Sequence, residues 1–529
     1  MCRWHGLAAG LMVFVGVAAQ AGKTNDPCKL RLGSSVVCFQ PENDAALRRA
    51  SAEVMVFLNK ERADSKHERR GLQEVVRLAS AALASRDGEE RARLDRDLRE
   101  TAVAIHNLDR PTIPRRFDTV MLPVFLHQLC RPIGVGEKPA VNLQAGPKDL
   151  SLCDPLPSSF WTRPADIAGE NLAVGFGRTE APRYGQVFQY AAAKETSGMN
   201  PGFEVEWHGE RVKLKFGEVS SEPFVARIFW AMGFHVDATD YAPGVKVAYD
   251  RRIFTEFNSR QPVRTTFTAL GFIPVYTMDL QHRADPFRYV AKAVLRDGRE
   301  WSGSELRSHL LASTNFAPEA EAQIDYLVTA PANTQVKDAR AKTIGPWDYG
   351  QLDHADLREL RGAGLLAAWV GFYDCRFDNT KLRLVGSKRH AELVHYFSDL
   401  GGGLGRTTGF LSWHGENVNA FPWTFTAPPL EQGPHELARP LRIVGYKPVV
   451  RNAAFAAMTI DDARWMARLI GQLRVEQIRA ALQASGYDAA TVDLYVRKLI
   501  SRRNKMMIDL GVAGECPPLP ENPEVRAKN

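Results

Sequence analysis

The stretch that most constrains this chain runs from Trp369 to Gly405, WVGFYDCRFDNTKLRLVGSKRHAELVHYFSDLGGGLG. An apolar run ends on Asp374, and Asn379 follows five residues later. TKLRLV then alternates as a strand does, GSKRHAE reads as a polar turn, and LVHYF reads as a second strand that delivers Asp399 into three glycines. Any fold built on this stretch presents two carboxylates and one amide at the ends of a hairpin. That set suits a divalent cation on a polyphosphate, with a base for an attacking hydroxyl. Asp and Asn also favour strand ends and turns, because their side chains bond the local backbone. Their order, with strand-like segments leading into both, is what singles this stretch out.

At the start of the chain, Arg3 precedes an apolar run from Leu7 to Ala19, and Ala19 and Ala21 are spaced for cleavage before Gly22. The pattern predicts a secretory signal peptide over residues 1–21. No later run approaches a membrane span, so the mature chain is expected to be exported, periplasmic or extracellular, with no transmembrane helix. Cleavage would leave Cys28, Cys38, Cys130, Cys153, Cys375 and Cys516. An even number in an oxidising compartment points to disulfides without fixing their connectivity. Cys28–Cys38 and Cys130–Cys153 close the shortest loops and leave Cys375–Cys516; six free buried thiols are the other possibility. The absence of C-x-x-C disfavours zinc and thioredoxin-like chemistry. The formal net charge of +7 is diluted over 529 residues, and the arginine pairs are scattered without aromatic interleaving, so a nucleic-acid partner is not expected.

Periodicity divides the rest. Residues 22–110 form an N-terminal helical region, read as a helical hairpin from about Asn43 to Leu108, and 111–170 form a Pro/Gly-rich connector. Strand patterns begin near Asn171 with NLAVGFG, QVFQYAA and FEVEWHGERVKLKFG, and continue to about residue 300. Gly175 and Gly177 are candidates for a phosphate-covering turn, although a third glycine is missing. Period-two geometry puts Lys213 and Lys215 on one face of their strand, with Val212, Leu214 and Phe216 on the other. Ser220-Ser221 cap a helix, EPFVARIFWAMGF, that carries Glu222 in its first turn and Arg227 one turn on. Glu222 is available to pair with Lys215, and Arg227 to contact phosphate. Residues 301–510 read as mainly helical, with a pattern from Glu305 that resumes over Ala320–Leu327, a helix running into Asp374, and two C-terminal helices split at Gly486. Residues 511–529 are a Pro-rich tail.

Lys215, Glu222, Asp374, Asn379 and Asp399 stand in the order in which protein kinases carry the strand lysine, the helix glutamate, D-x-x-x-x-N and D-x-G. The chain therefore resembles the protein-kinase-like superfamily, the HipA and CotH types more than eukaryotic kinases. The segment NPGFEVEWHGERVKLKFGEVSSEPFVARIFWAMGF also resembles uncharacterised exported bacterial proteins. Departures are Tyr373 in place of an arginine, a long insert between Asn379 and Asp399, and only seven residues between Lys215 and Glu222. The resemblance implies an α+β, two-lobed fold, with a strand-rich N-lobe over 171–300 and a helical C-lobe over 301–510. It implies ATP with Mg²⁺ or Mn²⁺ between the lobes, Lys215 on the phosphates and oriented by Glu222, Asp374 as base, and Asn379 and Asp399 as metal ligands. Lys213, Arg227, Gly175 and Gly177 are the further nucleotide-binding candidates. The expected activity is phosphoryl or AMP transfer to an unknown protein or small-molecule acceptor. The alternative is a catalytically inactive kinase-like envelope scaffold, since ATP is scarce outside the cytoplasm. A carbohydrate hydrolase using Asp374 and Asp399 leaves Lys215 and Asn379 without a role.

Overall fold

A computed structural model describes residues 29–108 and 154–520, except 33–34, 41–42, 61–64, 195–199, 258–259, 270–272, 284, 313–314, 388–390, 406–417, 424–440, 442, 444–445 and 447. The signal segment, Cys28, Cys130, Cys153 and most of the Pro/Gly-rich connector lie outside the described residues. The chain divides into two units at Asp109–Arg110.

In the first unit a short hairpin, β1 (Lys29–Leu32) and β2 (Ser35–Cys38), precedes α1 (Asp44–Lys60), α2 (Lys66–Ala84) and α3 (Gly88–Leu108). Three helices replace the expected helical hairpin. The break comes at Ser65, whose extended backbone and side-chain oxygen cap α2 by accepting from the Glu68 amide at 3.1 Å. Val54, Leu72, Val75, Leu94 and Leu98 recur at helical spacing and are buried.

The second unit is built on a nine-stranded sheet. Its strands are β3 (Val187–Ala193), β4 (Gly202–Trp207), β5 (Glu210–Lys215), β6 (Thr239–Ala242), β7 (Lys246–Ala248), β10 (Val290–Leu295), β11 (Glu300–Ser302), β14 (Ile324–Thr329) and β15 (Ala332–Val336), with β8 (Arg260–Ala269) and β9 (Ile273–Arg283) forming a separate hairpin. The order is β11-β10-β14-β7-β3-β4-β5-β15-β6, antiparallel except where β3 meets β7. Between β11 and β14 lie α6 (Gly303–Leu310), the small pair β12 (Leu311–Ala312) and β13 (Asn315–Phe316), and α7 (Pro318–Gln323); α4 (Ser221–Ala231) and the short α5 (Arg252–Thr255) come earlier. The sheet thus runs past residue 300, where the sequence suggested that the strands end. The helical pattern expected over Ala320–Leu327 stops at Gln323, because Ile324 and Leu327 are buried as strand residues beside β7 and β10.

Register gives this sheet one polar face near the end of β5. Gly202, Lys215, Asn333 and Tyr241 align in one row across β4, β5, β15 and β6, and Glu204, Lys213, Gln335 and Thr239 in the next. Alternation turns Phe203, Val205, Val212, Leu214 and Ala332 to the opposite face, where they join a buried cluster with Phe188, Val247 and Leu327.

A second buried cluster gathers the helices: α4, α8 (Arg358–Val370), the short α9 (Ala453–Ala456), α10 (Ile460–Gly471), α11 (Val475–Ala484) and α12 (Ala489–Asp509). Gly362 of α8 lies so close to Trp465 that a Cβ there would stand 2.5 Å from the indole ring. Arg361 of the same helix makes a buried pair with Asp462 at 2.6 Å. The expected first C-terminal helix is two, α10 and α11, because Arg474 opens a new helix, its amide donating to Gln477 Oε1 at 2.9 Å. A three-stranded antiparallel sheet, β16 (Ala341–Gly345), β17 (Thr380–Gly386) and β18 (Ala391–Phe397), completes the unit.

Two expectations are corrected by packing. The segment Asn171–Gly177 is a series of turns, with Gly175, Phe176 and Gly177 all at positive φ. Cys375 and Cys516 are both free and buried. The Cys375 thiol lies 3.4 Å from the Phe372 carbonyl, and the Pro-rich tail is instead held by Asn504, whose amide donates to the Leu519 carbonyl at 2.7 Å.

Candidate active site

Helix α8 ends where Gly371 takes the left-handed conformation, φ 67°, and the chain turns into the loop that carries Asp374. A 3₁₀ turn over Phe377–Asn379 swings Asn379 back. Its amide donates to the Asp374 carbonyl at 2.8 Å and to Asp374 Oδ2 at 3.0 Å, while Arg376 stands 2.9 Å from Asp374 Oδ1. The hairpin of β17 and β18 then returns the chain to this point. The Ser398 amide donates to the Asn379 carbonyl at 2.9 Å, so Asp399 emerges beside the loop that the same hairpin left.

Asp399 itself is strained. It has φ 53°, a region costly for a residue with a side chain. The following glycines explain how the strain is held. A Cβ on Gly401 would stand 2.5 Å from Glu218, and one on Gly403 would stand 2.7 Å from Val225 of α4. The backbone therefore threads between the start of α4 and the Asp374 loop, and Tyr373 donates its amide to the Gly402 carbonyl at 3.2 Å.

Across from this loop stands Lys215. It is only 6% exposed, and its ammonium donates to Glu222 Oε2 at 2.6 Å and to Asp399 Oδ1. Burial works to lower the lysine's pKa, but Asp399 and then Glu222 outweigh it and hold the group above its ordinary value. Glu222 is shifted upward by burial, with Lys215 opposing the shift. The Asn333 amide also donates to Glu222 Oε2. Five residues that the sequence singled out in separate segments are thus brought into two linked groups, Lys215 with Glu222 and Asp399, and Asp374 with Asn379. Lys213 shares the polar face with Lys215; burial and then Lys215 lower its pKa.

Other candidates fall elsewhere. The Arg227 guanidinium donates to Asp240 at 2.7 Å and to the carbonyls of Pro223 and Thr239, wholly buried. Gly175 packs on that same arginine, a Cβ there standing 3.1 Å from its Cγ, and Gly177 faces Trp230. These three residues make a structural contact around α4. Lys194, which follows β3, and Asn200, which precedes β4, do lean on the site. Asn200 donates to Glu218 Oε2 at 2.8 Å, and the Lys194 ammonium donates to the Asn200 carbonyl.

Glu218 is the main residue that sequence reasoning missed. Ligand oxygens of Glu218, Glu222 and Asp399 all lie within 4.8 Å of one another. Burial, then the Asp399 charge, push the Glu218 carboxyl up to about 8. Beside them Asn333 Oδ1 is buried without a hydrogen-bond partner among the described residues. Carboxylates in excess and an orphaned amide oxygen form an all-oxygen set that fits a hard divalent cation such as Mg²⁺ or Mn²⁺. The signal in the sequence was Gly217-Glu218 directly after the lysine strand; Glu218 has φ 54° and so turns back over the site. Next to the Asp374 loop, a cavity of about 110 Å³ is lined by Asp348, Tyr349, Arg376, Asp378 and Arg451 among others. No helix among the described residues is long and apolar enough to cross a membrane. No known protein family, curated protein or solved structure matches the chain.

Proposed function

We propose that the second unit is a kinase-like, two-lobed transferase that moves a phosphoryl or AMP group from ATP to an acceptor hydroxyl. The observation that carries this reading is the Lys215 ammonium, shared between Glu222 at 2.6 Å and Asp399, residues 7 and 184 positions away. A strand lysine oriented by a helix glutamate, with the D-x-G aspartate at its tip, is the arrangement that kinase catalysis requires. Among the described residues Lys215 also stands on the third strand of its unit, after β3 and β4, as the kinase lysine does.

In this reading Glu222 orients Lys215, which neutralises the phosphates of the donor. Asp399 and Asn379, with Glu218 beside them, would hold the divalent cation, whose charge offsets that developing on the transferred group. Asp374 accepts the proton of the attacking hydroxyl. Arg376 and Asn379 fix its carboxylate, so that the base is oriented before the acceptor arrives. The cavity beside Arg376 and Asp378 is the place for a small or extended acceptor group. The signal-like N-terminus supports work outside the cytoplasm.

The reading as a binding or scaffold protein is favoured by one observation: both oxygens of Asp374 already face a partner, Arg376 on one side and Asn379 on the other. Two variants separate the readings. Asp399→Asn should lose metal-dependent thermal stabilisation by ATP, whereas Asp374→Asn should keep that stabilisation and lose transfer. If the parent transfers nothing and both variants bind metal–ATP as it does, the transferase reading fails.

A further inference from the structure

Among the described residues, two lysines beside the Lys215 cluster have no carboxylate of their own. Lys194, at the end of β3, is 7% exposed, and among the described residues its ammonium donates only to the Asn200 carbonyl. Its stem crosses β4 at Gly202: Lys194 Cδ lies 3.4 Å from where a Cβ on Gly202 would stand, and Gly202 is the direct cross-strand partner of Lys215. The missing side chain at 202 lets Lys194 reach toward the site. The Lys213 ammonium makes no hydrogen bond or ion pair among the described residues. Its cross-strand neighbour Glu204 is engaged by Lys337 instead.

Of the three carboxylates gathered at the row, Glu222 and Asp399 are already shared by Lys215, and Glu218 accepts from the Asn200 amide. A buried ammonium without a counter-charge is costly, and like charges side by side add to the cost. Burial, then Lys213 and Lys215, accordingly push Lys194 down to about 7. An anion at this place would relieve all of it. Lys213 and Lys215 stand two residues, about 7 Å, apart along β5, and Lys194 reaches over β4 toward the same row, a spread that a chain of phosphates can span.

We infer that Lys194 and Lys213, with Lys215, bind a linear polyphosphate, either the tail of a nucleoside triphosphate or inorganic tripolyphosphate. The inference rests on the site of the proposed transferase and names what its sheet face recognises, but it does not depend on transfer.

The test is calorimetric titration of the full chain with tripolyphosphate, pyrophosphate and orthophosphate, then with ATP. The variants are Lys194→Met and Lys213→Met, with Lys292→Met, an exposed residue paired to Glu300, as control. The parent should bind tripolyphosphate at least tenfold tighter than orthophosphate, and each site variant should lose about tenfold of the tripolyphosphate affinity, the size of one charge-assisted contact. Without phosphate, Lys194→Met should melt at or above the parent, because an uncompensated buried charge is gone. A Lys194→Met protein that melts lower and binds tripolyphosphate unchanged would overturn the inference, leaving Lys194 as a brace for the Asn200 carbonyl. So would a parent that prefers orthophosphate or binds none of the three. Lys194-dependent tripolyphosphate binding without ATP binding or transfer would sustain the inference and remove the transferase reading. Unchanged KM for ATP in an active Lys194→Met enzyme would do the reverse.

Discussion

Replacing Lys215 by Met keeps a stem of similar length and removes the charge that Glu222 and Asp399 share. Removing one partner of a buried ion pair typically costs about 3–5 kcal/mol, because the other charge is left uncompensated. Two features put this case at the lower end. Glu222 keeps the Asn333 amide as a donor, and the Asp399 side chain is 34% exposed, so water can take up part of its charge. A loss of about 3 kcal/mol is expected; in a unit of about 420 residues, at ~2 cal/mol/K of unfolding entropy per residue, that lowers the melting temperature by about 3–4 °C. A second change, Glu222→Gln, removes the stranded charge while keeping an acceptor for Asn333. The double variant should recover to within about 1 kcal/mol of the parent. Neither variant should gain stability from ATP and Mg²⁺, whereas the parent at a ligand concentration of about 100 Kd should gain ~2.7 kcal/mol. Urea unfolding followed by circular dichroism, with and without nucleotide, reads both effects. A single variant that loses less than about 1 kcal/mol, or a double variant no better than the single, would refute the shared-charge account.

Arg227→Met should destabilise the second unit by about 1–3 kcal/mol, because the buried Pro223 and Thr239 carbonyls lose their donor while Asp240 keeps its two-pronged pair with Arg178, yet leave nucleotide affinity in the surviving fold unchanged, as titration below the melting temperature would show. Gly401→Ala should cost about 1–3 kcal/mol by overpacking against Glu218 and weaken metal-dependent ATP binding at the same time. Burial, then His395, lower His235 to about 4. The unfolded chain therefore binds the extra proton first, so stability is present above the ordinary histidine value of 6.5 and is lost as pH falls toward 4. Melting curves of His235→Phe should fall less than those of the parent across that window.

The local placement of Lys215, Glu222, Asp374, Asn379 and Asp399 was legible because each sits in a clear pattern: alternation on a strand, a first helical turn, a loop closing a helix, a strand running into glycines. Glu218 and Asn333 were not. Glu218 acquires its role from a single positive φ, and Asn333 from register, through a strand 118 residues after Lys215 that inserts between β5 and β6. ANTQV announces itself only weakly, since Ala332 and Val336 are its sole apolar residues and Asn333 and Gln335 face a polar row. Arg227 and the Gly175 turn were over-read for the opposite reason. Arginine and glycine suit phosphate, but they equally suit a buried pair and a close approach to α4, and only packing decides between these. Periodicity likewise could not separate α7 from β14, where a helix of six residues runs directly into a strand.

The pairing of β6 with β15 sets Ala242 opposite Ala332, so the chain departs from one hydrogen-bonded position and returns to its neighbour about 90 residues later. Everything between, including β7, β10, β11 and β14, is in topological terms the loop of a hairpin. None of Lys194, Lys213, Lys215, Glu218, Glu222, Asn333, Asp374, Asn379 or Asp399 lies in that excursion. Closing so long a loop costs about 3 kcal/mol more than closing a four-residue turn, a cost that the strands it contributes to the sheet edge offset. In connectivity the excursion is therefore separate from the candidate site: a tight turn spliced between Ala242 and Ala332 would leave β3, β4, β5, β15 and β6 hydrogen-bonded in order and still carrying Lys213, Lys215 and Asn333, while uncovering the apolar face that Val247 and Leu327 help to bury.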